Sequence, residues 1–344
     1  MAKLHMLLIY NPKAGKGLFL QSLGETIDKF VKAGYKVEVY PTQGIGDATL
    51  KIARVPGYID LIVAAGGDGT LDEVITGIVL SGRDVPIGYI PVGSTNDYAA
   101  SLSIPTTIPE AVDCILHGSP QAVDMGAFND DTFVYVAAFG AFTDVAYDTN
   151  QDMKNALGHL AYIIEGAKRL GDLKPYHMRI HVDGIDREAS YIYGMVTNST
   201  SVGGIKGATG PDVYLDDGMF EVLLIHMPKN LMELSEIGQA LLSNDLSGTN
   251  LVEYYKTERI TFASEIPVPW TLDGEYGGNP EYVRIGVRHQ CVRLVLDGDH
   301  NDVLGGWRNL KHPEEDEQVR QEEDIFLPLK QWTEELRKSL GLDE

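Results

Sequence analysis

The chain has 344 residues, 44% of them apolar and 23% charged, which is enough to bury two domain cores and too little polar bias for disorder. A formal charge of -22 excludes nucleic acid as a partner and disfavours tight adhesion to anionic lipid, since phosphate is repelled over most of the surface. Cys114 and Cys291 are far apart and lack Cys-x-x-Cys spacing, so both are expected as free thiols in a reducing compartment.

The first apolar run, Leu7–Tyr10, stops at Asn11-Pro12, too early for a signal peptide, and reads as a buried strand. Asn11-Pro12-Lys13-Ala14-Gly15-Lys16-Gly17 then forms a glycine-bearing turn. A helix follows, with Leu20, Leu23, Ile27, Phe30 and Val31 assigned to one face. The turn does not match G-x-x-x-x-G-K-[ST], so its spacing excludes a Walker-type P-loop. Lys36–Tyr40 is the second strand, Ala48–Arg54 a helix and Asp60–Ala65 the third strand.

That third strand runs into Gly66-Gly67-Asp68-Gly69-Thr70, where a helix opens with Leu71, Val74, Ile75, Ile78 and Val79 on one stripe. Gly66, Gly67 and Gly69 lack a Cβ, so they can take left-handed dihedrals and let main-chain N–H groups approach an anion. Asp68 would repel phosphate unless a cation lay between them, which points to Mg²⁺ and a nucleoside triphosphate. Read alone, the run is equally a tight strand-to-helix turn with Asp68 as a cap.

Pro86–Pro91 is the fourth strand, and Val92-Gly93-Ser94-Thr95-Asn96-Asp97 a third polar turn before helices near Asp97–Leu102 and Pro109–His117. Ser94 or Thr95 suits a helix cap, while Asn96 and Asp97 are acceptors suited to orienting Mg²⁺-bound water. The alternation predicts an open parallel sheet, whose ligands bind along its carboxyl edge.

After Val123 the runs alternate apolar and polar, as in Phe133–Ala137, Met178–Val182, Tyr191–Val196, Met219–Ile225 and Val292–Leu296, and predict antiparallel strands. Turn signals at Asn129-Asp130-Asp131 and Asp183-Gly184 separate several of them, and helical patterns interrupt at Ala156–Leu170 and Leu231–Leu242. The predicted architecture is an N-terminal open parallel α/β nucleotide-binding domain over residues 1–123, joined by a C-terminal segment 300–344. A β-sandwich-like domain occupies 124–299. Past the acidic block at Glu314-Glu315-Asp316-Glu317, the stripe Trp332, Leu336, Leu340 is expected to dock on the first domain. No stretch approaches a transmembrane span, which predicts a cytoplasmic chain with at most peripheral membrane contact.

The histidines offer no H-E-x-x-H and the serines no G-x-S-x-G, so zinc hydrolysis and a serine nucleophile lack support. His159, His177 and His181 are expected as ordinary polar or core residues, and Tyr162, Phe139 and Phe142 as packing residues before lining for an acyl channel. Asp216-Asp217-Gly218 and Leu272-Asp273-Gly274-Glu275 read on their own as turns.

Taken together and in this order, Asn11–Gly15, Gly66–Thr70 with Glu73-Val74, Pro91–Asp97, Asp216–Gly218 and Leu272–Glu275 resemble the diacylglycerol kinase catalytic family. That family includes soluble bacterial diacylglycerol kinases and the sphingosine kinases. The resemblance runs nearly end to end and implies an ATP-dependent lipid kinase acting on the hydroxyl of diacylglycerol or a related lipid alcohol at a membrane surface. It implies a nucleotide between the domains, with Asn11, Pro12, Lys13, Ala14, Gly15 and Thr42 toward the adenine. Gly66, Gly67, Asp68, Gly69, Thr70, Leu71 and Asp72 would face the phosphates, with Ser94, Thr95 and Asn96 nearby. It further implies a structural Mg²⁺ on the Asp217 carboxylate and the main-chain oxygens of Tyr214 and Met219, linked through water to Asp68 and Asp97. Asp273 or Glu275 would deprotonate the acceptor, with Asp68 completing the catalytic set, and which of the two takes the proton stays open.

Lys154, Lys168, Arg169, Lys174 and Arg179 form a locally basic region expected to face the bilayer. A homodimer is left open. Two other readings compete. An NAD kinase-like phosphotransferase shares the Gly-Gly-Asp-Gly-Thr element, although the Asn11-Pro12 opening and the Gly93–Asp97 run favour the lipid kinases. A nucleotide-binding regulator without catalysis is opposed by the intact Asp273-Gly274-Glu275.

Overall fold

A computed structural model of the chain describes residues 4–94, 96–140, 173–199, 201–202, 205–206, 213–243, 248–298 and 304. The expected helix Ala156–Leu170, the Trp332 stripe, Thr95, Phe142, Lys154, His159, Tyr162, Lys168 and Arg169 lie outside the described residues. The chain forms two compact units, one of Met1–Val123 with the chain from Gln290 onward, the other of Asp124–His289.

In the first unit β1 (Leu4–Tyr10), α1 (Leu18–Lys32), β2 (Tyr35–Pro41), α2 (Asp47–Ala53), β3 (Leu61–Gly66), α3 (Asp68–Ser81) and β4 (Ile87–Pro91) alternate. Two further helices follow, α4 (Asp97–Ser101) and α5 (Ile108–His117). The strands stand in the order β2-β1-β3-β4, all parallel. Every residue of β3 and β4 is buried, which is why these strands read as unbroken apolar runs. Met6, Leu8, Phe30, Val63, Ile90 and Val112 make the core. The stripe Leu71, Val74, Ile75, Ile78, Val79 of α3 is buried throughout.

The expected face of α1 is corrected. Its buried residues are Phe19, Thr26 and Phe30, whereas Leu20 and Val31 are about half exposed. Leu23 and Ile27 pack at the margin of the core. Val292–Leu296 also differs from expectation. It is the end of the long strand β17 (Tyr282–Leu296), and it pairs parallel with β4 through Leu294 and Ile87, which draws it into the first unit.

The second unit is antiparallel. β5 (Ser119–Phe128) turns through Asn129-Asp130 into β6 (Asp131–Phe133), and β8 (Tyr176–Val182) turns through Asp183-Gly184 into β9 (Ile185–Thr197), at both expected turns. The expected strand Phe133–Ala137 is split into β6 and β7 (Val136–Gly140). Short strands β10 (Ser201–Val202) and β11 (Ile205–Lys206) precede β12 (Phe220–His226) and α6 (Leu231–Ser243). β13 (Val252–Thr257), β14 (Arg259–Ser264), β15 (Trp270–Leu272) and β16 (Glu275–Tyr276) complete the unit with the first half of β17. The thirteen-residue β9 pairs with β8 along its first half and lies between β7 and β12 along its second. Phe139, Phe262 and Trp270 stack at its centre, with ring centroids 4.8–5.8 Å apart, so Phe139 is a packing residue.

Candidate active site

Parallel register brings three of the sequence turns to one edge of the first unit. Tyr10 stands opposite Ala65 and Pro41, and Gly66 opposite Pro91, so β1, β2, β3 and β4 end level. The turns are laced to neighbouring strand ends: Asn11 N–H donates to Ala65 O at 3.0 Å, Thr42 N–H to Tyr10 O at 2.9 Å and Val92 N–H to Gly66 O at 2.8 Å.

The glycines serve close approach more than left-handed geometry. Among Gly66, Gly67 and Gly69 none has positive φ, contrary to expectation, and Gly67 is extended at φ -89, ψ -173. A Cβ on Gly66 would stand 2.3 Å from Thr70 Oγ1, and one on Gly93 would stand 2.5 Å from Gly67 Cα. Left-handed backbone belongs to the first turn, where Gly15, Lys16 and Gly17 have φ of 53, 59 and 77. A Cβ on Gly15 would meet Val92 O at 2.1 Å. Gly69, at the start of α3, has open space where its Cβ would be. The helix therefore presents its N-terminal amides on an uncovered side, an arrangement suited to phosphate.

Asp68, Asn96 and Asp97 meet behind these turns. Asp68 Oδ2 accepts Asp97 N–H at 3.2 Å and Oδ1 accepts Tyr98 N–H at 3.4 Å, so this carboxylate caps α4. Burial, with the charge of Asp97 beside it, pushes the Asp68 carboxyl up to about 6. Asn96 is left-handed at φ 55, and its side chain closes the third turn, Oδ1 accepting Gly93 N–H at 2.9 Å and Nδ2 donating to Gly93 O at 3.1 Å. Asn96 thus shapes a turn, while Ser94 at its tip is exposed.

Asn11, Pro12, Lys13, Thr42 and Thr70 line one cavity of about 180 Å³ in this unit, together with Gln43–Ile45 and Glu73. Glu73 follows the glycine turn on α3. Its Oε1 accepts Gly46 N–H at 2.9 Å and its Oε2 accepts Ala48 N–H at 3.0 Å, tying α3 to the loop ahead of α2. Asp47 holds the same loop, accepting Gln43 N–H at 2.8 Å and Tyr40 O–H at 2.9 Å. No periodicity or turn rule signals either contact.

Asp273 and Glu275 lie in the second unit and differ sharply. Asp273 is buried at φ 50 in the turn between β15 and β16, and its carboxylate accepts the N–H groups of Val134, Tyr135 and Val136 at 2.5, 2.9 and 2.8 Å. The Val134 and Tyr135 amides, in the gap between β6 and β7, are turned to this carboxylate where Phe133–Ala137 breaks into two strands. Glu275, two residues on, is exposed.

The acidic turn Asp216-Asp217-Gly218 is in the second unit as well. Asp217 Oδ1 accepts Met219 N–H at 2.9 Å and Oδ2 pairs with Lys256 Nζ at 2.8 Å. Asp124, fully buried, accepts Gly218 N–H at 2.7 Å and pairs with His289 Nδ1 at 2.9 Å. Lys256 and Asp124, on β13 and β5, were not singled out from sequence. Glu221 is 1% exposed, and neither of its carboxylate oxygens has a hydrogen-bond partner among the described residues. Lys256 Nζ stands 3.5 Å from Oε1, and burial pushes the Glu221 carboxyl up to about 8.

No three His, Cys, Asp or Glu side chains are gathered for metal binding among the described residues. The expected Mg²⁺ set differs from such a group, with one carboxylate and two main-chain oxygens. Its hard oxygen donors, beside buried carboxylates that outnumber Lys256, fit a divalent cation.

Of the expected basic region, Lys174 lies over the Tyr176 ring at 5.1 Å and Arg179 pairs with Glu188 at 3.3 Å, so part of that charge is internally compensated. His177 and His181 pair on the surface with Glu188 and Asp186. Cys114 and Cys291 are free thiols. No helix among the described residues is long and apolar enough to cross a membrane.

A parallel α/β unit with interlocked glycine turns at its carboxyl edge is followed in the chain by a separate antiparallel β unit. Residues 5–128 match the diacylglycerol kinase catalytic domain, and residues 136–296 match the YegS C-terminal NAD kinase beta sandwich-like domain. The diacylglycerol kinases of Staphylococcus aureus strains JH9 and Newman are each 38% identical over 274 residues, covering 79% of this chain and 86% of the relative. The chain belongs to the diacylglycerol kinase catalytic domain family. Its fold matches a solved diacylglycerol kinase from Bacillus anthracis str. Sterne with a TM-score of 0.67 at 23% identity, covering 85% of this chain and 97% of that one. A second structure from that organism gives a TM-score of 0.73 at 24% identity, with the same coverage.

Proposed function

We propose that this chain transfers the γ-phosphoryl group of ATP to the free hydroxyl of diacylglycerol, giving phosphatidic acid and ADP. The observation that carries the reading is the three interlocked turns on one sheet edge, beside a cavity shared by Asn11, Thr42 and Thr70. Main-chain N–H groups at the start of α3, around Asp68–Thr70, hold the transferring phosphates, and Asn11, Thr42 and Thr70 hold the rest of the nucleotide.

Glu275 is the general base, because its carboxylate is exposed while that of Asp273 is occupied by three amides. As the acceptor oxygen bonds the γ-phosphorus, the bond to the β–γ bridging oxygen breaks and the hydroxyl proton passes to Glu275. Asp273 fixes the turn that carries Glu275. Asp217 and the main-chain oxygens of Tyr214 and Met219 would hold Mg²⁺. When bound, the ion supplies charge neutralisation.

The Asp68 carboxyl, raised to about 6, is mostly ionised at neutral pH and so can accept from a cation-bound water. Contact with substrate is peripheral, at a membrane surface. The NAD kinase reading is favoured by the shared Gly-Gly-Asp-Gly-Thr element and by the sandwich likeness in the second family's description.

The test is transfer of label from ATP to detergent-dispersed diacylglycerol, with NAD as the competing acceptor. Label in phosphatidic acid, lost by a factor of roughly 10²–10⁴ in kcat in folded Glu275→Gln, supports the reading. Label in NADP, or full activity in Glu275→Gln, removes it.

A further inference from the structure

Ile45 is 96% exposed, more than any other large apolar side chain described, and it sits on the wall of the cavity shared by Asn11, Thr42 and Thr70. A single exposed apolar residue is common on protein surfaces, so exposure alone argues nothing. What sets Ile45 apart is that its loop is not free to fold it away. Thr42 N–H is held by Tyr10 O at 2.9 Å, Gln43 N–H by Asp47 Oδ2 at 2.8 Å, and Gly46 N–H by Glu73 Oε1 at 2.9 Å. Gly46 follows in the left-handed region at φ 78, a conformation that favours glycine and fixes where the chain leaves the loop.

The cavity of about 180 Å³ is smaller than the roughly 300–1,000 Å³ that encloses a whole ligand, so it suits a fragment. A nucleobase is a fragment with a flat apolar face and a polar edge. The cavity offers the matching pair, with the Ile45 side chain for the face and Asn11, Thr42 and Gln43 for the edge.

We infer that Ile45 covers the nucleobase of the bound triphosphate, on a loop that Glu73 and Asp47 hold in place for that purpose. The inference rests on the nucleotide reading above. Glu73 leaves the same helix whose first amides face the phosphate side, so it is a positioning residue that fixes the base-covering loop relative to the phosphate end. Covering the base adds apolar burial on binding and is felt only by ligands that carry a base.

The experiment compares the full chain with Ile45→Ser and Ile45→Leu, measuring affinity for ATP and for inorganic tripolyphosphate, which has no base, by titration calorimetry. Ile45→Ser is expected to weaken ATP roughly five- to tenfold with tripolyphosphate affinity unchanged, and Ile45→Leu to restore ATP affinity. Unchanged ATP affinity in Ile45→Ser, or equal loss of both ligands, overturns the inference and leaves the nucleotide reading standing. Failure of the unaltered chain to bind ATP overturns that reading and the inference with it.

Discussion

Asp273 and Val136 hold each other twice. Asp273 N–H donates to Val136 O at 2.8 Å, and Val136 N–H donates to Asp273 Oδ1 at 2.8 Å. With the Val134 and Tyr135 amides on the same carboxylate, Asp273 is a clamp across 137 residues of chain.

Asp273→Asn is therefore expected to cost stability. An amide replaces one acceptor oxygen with a donor that faces buried N–H groups, a loss of about 2 kcal/mol. Urea unfolding should show the drop in Asp273→Asn and no comparable drop in Glu275→Gln. Equal stability of the two would remove the distinction between clamp and base.

Asp68 ionises reluctantly in the folded chain, at about 6 against an ordinary 3.8. For an acid raised on folding, the stabilising contribution is full below the unfolded value and is lost as pH climbs through 6. Asp68→Asn should thus raise the unfolding temperature above pH 6 and change it little near pH 4, the upper limit being roughly 3 kcal/mol. The gain is reduced by the acceptor that asparagine lacks toward Asp97 or Tyr98 N–H. Thermal scans without nucleotide or Mg²⁺ check it, and a gain confined to low pH would contradict it.

Two glycines separate architecture from ligand. Gly93→Ala drives a methyl into Gly67 Cα and the Asn96 side chain, and overpacking of this kind costs about 1–3 kcal/mol. Gly69→Ala meets nothing among the described residues and improves helix propensity, so stability should hold or rise by up to about 1 kcal/mol. Its ATP affinity should nevertheless fall, because the added methyl occupies space meant for phosphate. Paired melting and ATP titration of both variants test this, and undiminished ATP binding by Gly69→Ala would remove α3 from the phosphate site.

Lys256 is the ammonium that pairs with Asp217 at 2.8 Å, beside Glu221, both acids being almost fully buried. Lys256→Met leaves the Asp217 charge uncompensated and is expected to destabilise by about 3–5 kcal/mol. Millimolar Mg²⁺ should recover part of that loss if the ion binds Asp217, which calorimetry with and without chelator measures. A variant as stable as the parent would show the lysine to be dispensable.

The parallel unit was legible because each strand is an apolar run closed by residues that punctuate a chain: Asn11-Pro12 after β1, Gly66-Gly67 after β3, Val92-Gly93 after β4. The second unit was read less fully. β13 and β14 carry Glu253, Lys256, Arg259 and Ser264 within strand, and their polar content hid them. Val292–Leu296 was read as an antiparallel strand of the second unit, and its parallel pairing with β4 was not legible, since apolar character does not say which strand will lie alongside. On α1, Leu20 and Val31 looked interior by type, yet Thr26 is buried in their stead. Site roles divide in the same way. Local motifs pointed to Asp68, Asp217 and Asp273, while their partners Tyr98, Lys256 and Val134–Val136 depend on register between segments distant in sequence. Ile45 and Glu73 bear no local mark of their contacts.

The fit of Gly15 beneath Val92, and of Gly67 against Gly93, makes the three turns one mould cast from separate stretches of chain. Transplanting any single loop into another α/β scaffold would carry over its spelling without its shape. An engineer wishing to borrow this edge must move all three together, with the strand ends that set their spacing.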